Sequence, residues 1–376
     1  MAGKKKTEEK KAVNELSVST ELFKSMVAKA YKGVGNNKLL PLTQLMCIEV
    51  KNGELRLIVS DSAGTNYFYV TQPGFDGEFY ATVMAEQFAK LVGKFTCEKL
   101  TLSVDADKLK ITGNGNYTIA LQYDEMGNSI QYPDPISELG KADGKPQTLP
   151  ISTIYKILNT VKPSLALTME VPYLTNYYIG DMVAATNSDE AGIINNAVMK
   201  KPVLLSPIVL ELLGLSSSET VEVNRYADGV IVFSASDMSV YSREMDGIDE
   251  YPIEALREFY NSDMPASCKL PKNELLQALD RISLFVGAFD ENAIQLEFTG
   301  DSLKVSSLAM TGVEAIKYIS GDNAEFKCSA DLMSLIKHIK TQSTDDVEMQ
   351  FGSADALKFV DGDAVQIVSL FQESEE

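Results

Sequence analysis

The feature that most constrains this chain is a pattern that occurs three times. Each copy has an alternating strand, a turn with an Ala-Asp pair and a second alternating strand, and the copies lie at 98–111, 219–233 and 345–360. The Ala-Asp pairs, at 106–107, 227–228 and 354–355, are spaced by 121 and 127 residues. Period-2 alternation bounded by Gly, Asp and Asn predicts a β-hairpin. A third strand is predicted after each hairpin, at 116–123, 238–245 and 363–371. A fixed period of this kind predicts a tandem array.

Two helical patterns precede each hairpin, with further strands between them. The six helical windows are 19–35, 81–95, 151–164, 203–217, 271–287 and 329–343. Ser206-Pro207 and Asp331 are typical residues for helix starts. Asn52-Gly53 between two alternating segments predicts a two-residue hairpin turn. Each unit is therefore predicted to consist of two similar halves, each with one helix and a small antiparallel sheet. The whole chain is predicted to have an α+β fold with six helices and six small antiparallel sheets.

The repeat predicts three domains, at 14–135, 147–262 and 263–372, after a basic tail at 1–13 that we expect to be disordered. Segments rich in Pro, Gly or charge, at 133–150 and 246–270, are predicted linkers. The alternative is three unrelated α+β domains that share hairpins, and the matching order and spacing disfavour it.

The composition excludes membrane-spanning and secreted classes of protein. No stretch approaches 18 apolar residues, and no apolar segment follows the N-terminal lysines. The chain therefore lacks both a membrane-span pattern and a secretory-signal pattern. Its four cysteines, Cys47, Cys97, Cys268 and Cys328, form no C-x-x-C pair and no disulfide framework. This usage favours the reducing cytoplasm.

Enzyme classes that depend on histidine or on phosphate-binding loops are disfavoured. His338 is the only histidine, and it lies in a lysine-flanked helical stretch that is typical of a surface or groove position. Neither G-x-x-x-x-G-K-[ST] nor G-x-G-x-x-G occurs. Asp105, Asp107, Asp361 and Asp363 offer carboxylates for Mg²⁺. They lie in matching hairpins of different repeats, however, which favours a role as turn residues.

The charge is distributed unevenly between the helices and the rest of the chain. The net charge is −19, but with Lys and Arg as +1 and Asp and Glu as −1 the six helical windows carry +5 and the remainder −24. If all six helices shared one face, it would attract a polyanion while the acidic remainder discouraged nonspecific contacts. The alternative is that these lysines lie on ordinary solvated helix faces.

The order of several short segments carries a family resemblance. They are Leu40-Pro41, Asn52-Gly53 and Ser60-Asp61 in the first repeat, 171–189 in the second, and 249–259 with 279–287 at the third. In this order they resemble the bacterial DNA polymerase III beta subunits, the sliding clamps, over about 14–372. The chain has NSDEAGI at 187–193 where the family has Asp-Gly-His-Arg-Leu, and VSLFQESEE where the family has a short Met-Pro-Met-Arg-type end. These departures indicate a divergent member, of a kind that a phage could encode, with altered partner recognition at 187–193.

The resemblance implies three tandem clamp domains and a ring-shaped, head-to-tail homodimer whose helices line a hole. The implied function is that of a processivity factor, which encircles duplex DNA without reading its sequence and tethers the replicative DNA polymerase. The implied partners are DNA, the polymerase, a clamp loader, other proteins with a clamp-binding motif and a second copy of the chain, with no membrane. No catalysis, cofactor or metal is implied, and the expected location is the cytoplasm, associated with the nucleoid.

The resemblance and the charge pattern together give three sets of candidate residues. The predicted DNA contacts are Lys24, Lys29, Lys32, Lys38, Lys90, Lys94, Lys156, Lys162, Tyr173, Arg281, Lys337 and Lys340. The predicted partner-peptide pocket consists of Leu174, Thr186, Pro252, Leu256, Val368, Leu370 and Phe371. The predicted dimer contacts are Tyr117, Ile119, Leu284 and Phe285.

Each set has a plainer alternative. Any single lysine fits an ordinary solvated position as well as it fits a DNA contact. Four of the apolar residues fit core packing as well as they fit an interface: Leu174, Val368, Leu370 and Leu284. A non-catalytic repeat scaffold that binds only proteins is the alternative function. Such a scaffold would show no retention on DNA and would need no closed ring.

Overall fold

A computed structural model describes residues 15–124, 126–287, 292–353 and 355–371, so the predicted basic tail at 1–13 lies outside the described residues. The described residues form seven α-helices: α1 (Thr20–Tyr31), α2 (Ala85–Val92), α3 (Ile151–Thr160), α4 (Pro207–Leu213), α5 (Ile253–Asn261), α6 (Lys272–Ser283) and α7 (Leu332–Thr341). None of these helices is long and apolar enough to cross a membrane.

The strands of the first half of the chain are β1 (Glu15–Ser19), β2 (Leu45–Lys51), β3 (Glu54–Ser60), β4 (Tyr67–Pro73), β5 (Phe79–Met84), β6 (Lys99–Asp105), β7 (Lys108–Thr112), β8 (Asn116–Ala120), β9 (Gln147–Pro150), β10 (Tyr177–Ile179), β11 (Val183–Thr186) and β12 (Glu190–Ile194). Those of the second half are β13 (Val203–Leu205), β14 (Thr220–Tyr226), β15 (Val230–Ser234), β16 (Met238–Arg243), β17 (Ala266–Pro271), β18 (Ala293–Phe298), β19 (Ser302–Ser307), β20 (Val313–Lys317), β21 (Ser320–Gly321), β22 (Phe326–Asp331), β23 (Asp346–Phe351), β24 (Ala356–Asp361) and β25 (Ala364–Ser369).

The first compact unit comprises the described residues up to Ile151 together with Glu211–Arg243. It contains an eight-stranded antiparallel sheet in the order β5-β2-β3-β4-β16-β15-β14-β9 and a four-stranded sheet in the order β1-β6-β7-β8. The fully buried rings of Phe23 on α1 and Phe88 on α2 meet edge to face at 5.9 Å. Burying such a ring contributes about 2–3 kcal/mol, so this contact helps to fix the two helices against each other.

The second compact unit comprises Ser152–Leu210 and the described residues from Glu244 onward. Its nine-stranded sheet has the order β13-β10-β11-β12-β25-β24-β23-β17-β21, and its four-stranded sheet the order β20-β19-β18-β22. Its largest apolar cluster gathers the buried faces of α6 and α7 with the strands beneath them, including Leu275, Leu279, Leu335 and Ile339.

The local predictions agree with the structure at several turns and caps. Asn52 and Gly53 have φ of 55° and 83°, the left-handed conformation that the predicted two-residue turn requires. Asp331 caps α7, since its carboxylate accepts the Ser334 N–H at 2.6 Å. All six predicted helical windows contain a helix.

Two predictions about the elements were wrong. The described residues form four sheets, not six, because β4 pairs with β16 and β12 pairs with β25. Edge strands of different repeats thus complete each other's hydrogen bonds. The predicted linker at 246–270 contains a helix outside the six predicted windows. This helix is α5, and its Leu256 is buried. The three predicted domain boundaries stay a prediction.

Candidate nucleic-acid interface

The first group of predicted DNA contacts is on α1, and two of its lysines have partners within the first unit. Lys24 donates to the Phe95 carbonyl at 2.8 Å. The Lys29 ammonium lies 2.7 Å from Asp237 Oδ2. Asp237 also accepts hydrogen bonds from Ser216 and Ser217. Burial raises the pKa of the Asp237 carboxyl. The hydrogen bonds from Lys29, Ser216 and Ser217 outweigh this effect and lower the pKa to about 2.

The remaining predicted lysines of the first unit are exposed. Lys90 pairs with Glu86 one helical turn earlier, at 2.5 Å. Lys32, Lys38 and Lys94 form no ion pair within the part of the chain that the structure describes. Their ammonium groups can therefore approach an external anion without breaking an internal contact.

The second unit brings four predicted lysines together in one groove between α3 and α7. This α3–α7 groove has a volume of 1110 Å³ and is lined by Lys156, Lys162, Lys337 and Lys340. Lys156 pairs with Asp363, which lies in the turn just before β25. Lys337 pairs with Glu190 of β12. Lys340 is exposed and has no ion-pair partner in the described ranges.

Glu190 is a buried carboxylate that sequence reasoning missed. Only 6% of the residue is exposed, and its carboxylate binds Ser334, Lys337 and His338 of α7. Burial raises the pKa of the Glu190 carboxyl. The hydrogen bonds from His338, Lys337 and Ser334 outweigh this effect and lower the pKa to about 2. Burial lowers the pKa of His338, whereas the hydrogen bond and the charge of Glu190 raise it. The effect of burial is the larger, so the pKa of His338 lies below its ordinary value. His338 Nε2 lies 3.0 Å from Glu190 Oε2, and because an ionised carboxylate can only accept, the ring nitrogen is the donor.

The two predicted DNA contacts that are not lysines are both held by neighbours. Arg281 of α6 makes a bidentate ion pair with Glu314 of β20. Its Nε donates to Oε1 at 2.7 Å and its Nη2 donates to Oε2 at 2.6 Å. Tyr173 lies in the 3₁₀ turn Pro172–Thr175, and its ring meets that of Tyr251 edge to face at 6.4 Å. Both side chains are thus positioned before any DNA is present.

The predicted partner-pocket residues are mostly buried. Leu174, Thr186, Leu256, Val368 and Leu370 are at most 7% exposed. Leu174 and Leu256 belong to one apolar cluster, whereas Val368 and Leu370 belong to the cluster beneath α6 and α7. Pro252 and Phe371 remain accessible, Phe371 at 37%. Their proposed role in partner binding stays a prediction.

An opening beside Pro252 contains residues that the sequence did not indicate. It has a volume of 710 Å³, and Tyr178, Pro202 and Tyr251 are among its lining residues. The Tyr178 and Tyr251 rings stack at 5.5 Å. Among these lining residues the sequence analysis had indicated Pro252, whereas the aromatic run around Tyr178 is equally typical of a core strand.

The predicted dimer contacts lie at the outer strands of the two four-stranded sheets. On β8, Tyr117 is 40% exposed, whereas Ile119 is buried. Leu284 and Phe285, just after α6, are 81% and 50% exposed. In the described residues β8 and β20 pair on one side only, so each presents unpaired backbone groups.

Comparison with known proteins identifies the fold. No protein-family model and no curated protein matches the sequence. In contrast, a DNA polymerase sliding clamp from Bacillus subtilis is similar in structure with a TM-score of 0.82 at 17% identity, over 96% of this chain and 100% of that chain. The chain has the sliding-clamp fold.

Other sliding-clamp structures agree. The DNA polymerase beta subunit of Streptococcus pyogenes gives a TM-score of 0.81 at 18% identity, over 95% of this chain and all of that chain. A sliding clamp from Pseudomonas aeruginosa bound to griselimycin gives 0.80 at 13% identity, over 96% and 100%. The predicted resemblance in fold is confirmed, at sequence identities of 13–18%.

Proposed function

We propose that this protein is a DNA sliding clamp, a processivity factor that encircles duplex DNA and tethers a replicative DNA polymerase. The observation that carries the proposal is the likeness to DNA polymerase sliding clamps over almost the whole of both chains. The proposed role is non-catalytic, and it is exercised on DNA in the cytoplasm, at the nucleoid.

The distribution of charge supports this role. The helical windows carry +5 in a chain of net charge −19. A weakly basic helical surface suits contact with phosphates, whereas an acidic remainder repels DNA elsewhere. Contacts to phosphates carry no sequence information, so the protein would follow duplex DNA without reading bases.

Ring closure by two copies is the second part of the proposal. Within the chain, edge strands of different repeats already pair antiparallel twice, β4 with β16 and β12 with β25. By repeat position, β20 corresponds to β4 and β12, and β8 corresponds to β16 and β25. We therefore assign β20 of one copy to β8 of the other, a heterologous contact that closes after two copies.

The apolar side chains near these two edges fit such a contact. Leu284, Phe285 and Val313 are exposed near β20, and Tyr117 is exposed on β8. Apolar side chains of this size seldom remain in water as a group unless they serve an interface. Ile119 would support the edge from beneath, since it is buried in the single copy.

Tethering requires a site for partner proteins. The opening beside Pro252 combines stacked aromatic rings with an accessible proline, a surface suited to a short apolar peptide. The griselimycin-bound clamp from P. aeruginosa supports the expectation that this fold offers a site for such ligands. A polymerase, a clamp loader and other proteins with a clamp-binding motif are the proposed partners.

The test separates topological retention from ordinary affinity. The protein is loaded on nicked circular plasmid with its cognate loader, washed at high salt, and the plasmid is then cut once. A clamp stays on the circle through the wash and leaves after the cut. Loss during the wash from circle and linear DNA alike would instead indicate an electrostatic binder. No association with DNA under these conditions would favour the protein-only scaffold.

A further inference from the structure

The opening beside Pro252 carries more negative charge than contact with an apolar peptide requires. Its charged lining residues are three carboxylates, Glu244, Asp249 and Glu254, and one lysine, Lys201. Its other lining residues are apolar or aromatic, and the whole lining belongs to the second compact unit. A peptide in this opening would therefore meet apolar side chains together with an excess of carboxylates.

Two of these carboxylates are accessible from outside. Asp249 is exposed and has no ion-pair partner within the described ranges. Glu254 keeps 79% of its side chain exposed, and its Oε2 lies 3.5 Å from Arg257 Nε. Arg257 is held more closely by Asp181, at 2.8 Å. An external cation could therefore approach Asp249 and Glu254 without displacing a close internal ion pair.

Helix α5 accounts for only part of this charge. Glu254 lies in the first turn of α5, where the positive end of the helix dipole favours a carboxylate. Asp249 lies three residues before Pro252, the N-cap of α5, and so precedes that turn. The dipole of α5 therefore does not explain why Asp249 lines the opening.

The first compact unit offers an internal comparison. Gln131-Tyr132-Pro133 and Glu250-Tyr251-Pro252 lie 119 residues apart, close to the period of the repeat, so they are the same segment in successive repeats. In the first unit the carboxylate that follows this segment, Asp134, accepts a hydrogen bond from Arg56 of β3 at 2.9 Å. The sheet of the first unit thus supplies a cation that balances the acidic residue.

The second unit lacks an arginine at the matching position. When Ser60-Asp61 is aligned with Thr186-Asn187, Arg56 corresponds to Met182, just before β11. Met182 is only 1% exposed and cannot neutralise a carboxylate. The carboxylates beside Pro252 are therefore not balanced from that strand. Unbalanced charge around an apolar opening favours a ligand of opposite sign.

We propose that the opening beside Pro252 selects partner peptides that carry a lysine or arginine next to an apolar anchor residue. The anchor packs against Pro252 and Ile253, which are half-buried, and the cation pairs with Asp249 and Glu254. A peptide with acidic flanks meets like charge and binds less tightly. The inference rests on the proposed partner site and adds the charge of its ligand.

Two variants locate the charge effect. Asp249→Lys reverses the charge at the opening. Glu325→Lys makes the same change of charge elsewhere in the second unit and is the matched control, because Glu325 is exposed, has no ion pair in the described chain and does not line the opening. Circular dichroism at pH 7 checks that both variants are folded. The salt dependence of wild-type binding provides a second measurement that needs no variant.

Binding is measured by fluorescence anisotropy of three labelled peptides. They share one core of leucine and phenylalanine, and the residues on either side of the core are lysine, serine or glutamate. At low salt we expect the lysine peptide to bind the wild type about fivefold or more tightly than the glutamate peptide, with the serine peptide between them. Added salt should reduce this ratio, because the carboxylates are exposed.

Asp249→Lys should reduce the ratio at least about twofold, whereas Glu325→Lys should leave it unchanged. Equal effects of the two variants would assign the preference to overall charge and overturn the proposal. Equal binding of the three peptides, tighter binding of the glutamate peptide, or no binding of any of them would also overturn it. Plasmid retention involves no peptide, so encirclement of DNA and charge selection at the opening can fail separately.

Discussion

The Lys29 ammonium and the Asp237 carboxylate lie 2.7 Å apart, although 208 residues separate them in the chain. Both belong to the first compact unit, where α1 comes from the first repeat and Asp237 from the turn that precedes β16. The pair therefore ties a predicted DNA-contacting helix to a hairpin of another repeat. A lysine that appears available in the sequence is thus part of the internal bonding of the unit.

Asp237→Asn should destabilise the protein in a pH-dependent way. The pKa of Asp237 is lowered to about 2, so its stabilising effect is present above the unfolded pKa of about 3.9 and is lost as the pH falls towards 2. We expect a loss of about 1–2 kcal/mol at pH 7, after allowance for solvent screening. Thermal unfolding of variant and wild type at pH 7 and pH 2 measures it. A difference of the same size at both pH values would contradict the assignment.

His338 provides a direct probe of the Glu190 cluster, because it is the only histidine in the chain. Burial lowers its pKa, whereas Glu190 raises it. Glu190→Gln should therefore lower the pKa of His338 further below the ordinary 6.5 or so. NMR titration of the single imidazole measures both values without an assignment problem. A rise of the pKa in Glu190→Gln would show that the carboxylate does not face the ring.

Glu190→Gln should also weaken the second unit itself. The substitution leaves Lys337 and His338 without a charged partner at a site that is 6% exposed. We expect a decrease in the free energy of unfolding of about 1–3 kcal/mol. Urea unfolding at pH 7 measures it, and Glu86→Gln, which breaks the exposed Lys90 pair, is the control. The control should leave stability almost unchanged, because solvent screens an ion pair between exposed side chains.

The combined variant Leu284→Ala and Phe285→Ala should convert a dimer into monomers. The wild type should have twice the 41.2 kDa mass of the chain. Both side chains are exposed in the single copy, so their removal should leave its fold unchanged. Sedimentation velocity at micromolar concentration measures the mass. Leu167→Ala with Met169→Ala, at 98% and 66% exposure in the same unit, is the control and should stay dimeric. A wild type that remains a monomer would contradict the proposed ring.

Partner binding is better tested at Phe371 than by removal of residues 368–376. Such a deletion also removes Val368 and Leu370, which are buried and support β25. Phe371→Ala should reduce stimulation of the polymerase several-fold, with the dimer intact, since it removes only an accessible apolar side chain. Phe259→Ala, an aromatic of similar exposure on α5, is the matched control. Full stimulation by Phe371→Ala would remove Phe371 from the predicted pocket.

Local chemistry explains which elements could be predicted from the sequence. Asn52-Gly53 and Asp331 act on neighbouring backbone groups, so their effects are visible in a few residues. The pairing of β4 with β16 depends on which edges meet in space, and no local pattern specifies that. Helix α5 was read as a linker because Asp249, Glu250 and Pro252 interrupt the apolar pattern at its start.

The candidate site was predictable only in part. The lysines of the α3–α7 groove could be found by their helical positions, since charge on a helix is counted directly from the sequence. Glu190 could not, because a carboxylate that directly follows Asn187, Ser188 and Asp189 in the chain usually faces solvent. Its burial follows from the approach of α7, which is far away in the chain. Tyr251 was also missed, because its contacts with Ala184 and Tyr178 come from a segment about 70 residues away in the chain.

The exchange of edge strands bears on how such a protein can be divided. Strand β12 of the predicted middle domain completes its pairing with β25, and β16 completes its pairing with β4. A polypeptide consisting of 147–262 alone would therefore present two open edges and would tend to self-associate. We therefore expect the intact chain to be expressed in soluble form more readily than any single repeat, because the intact chain covers both edges.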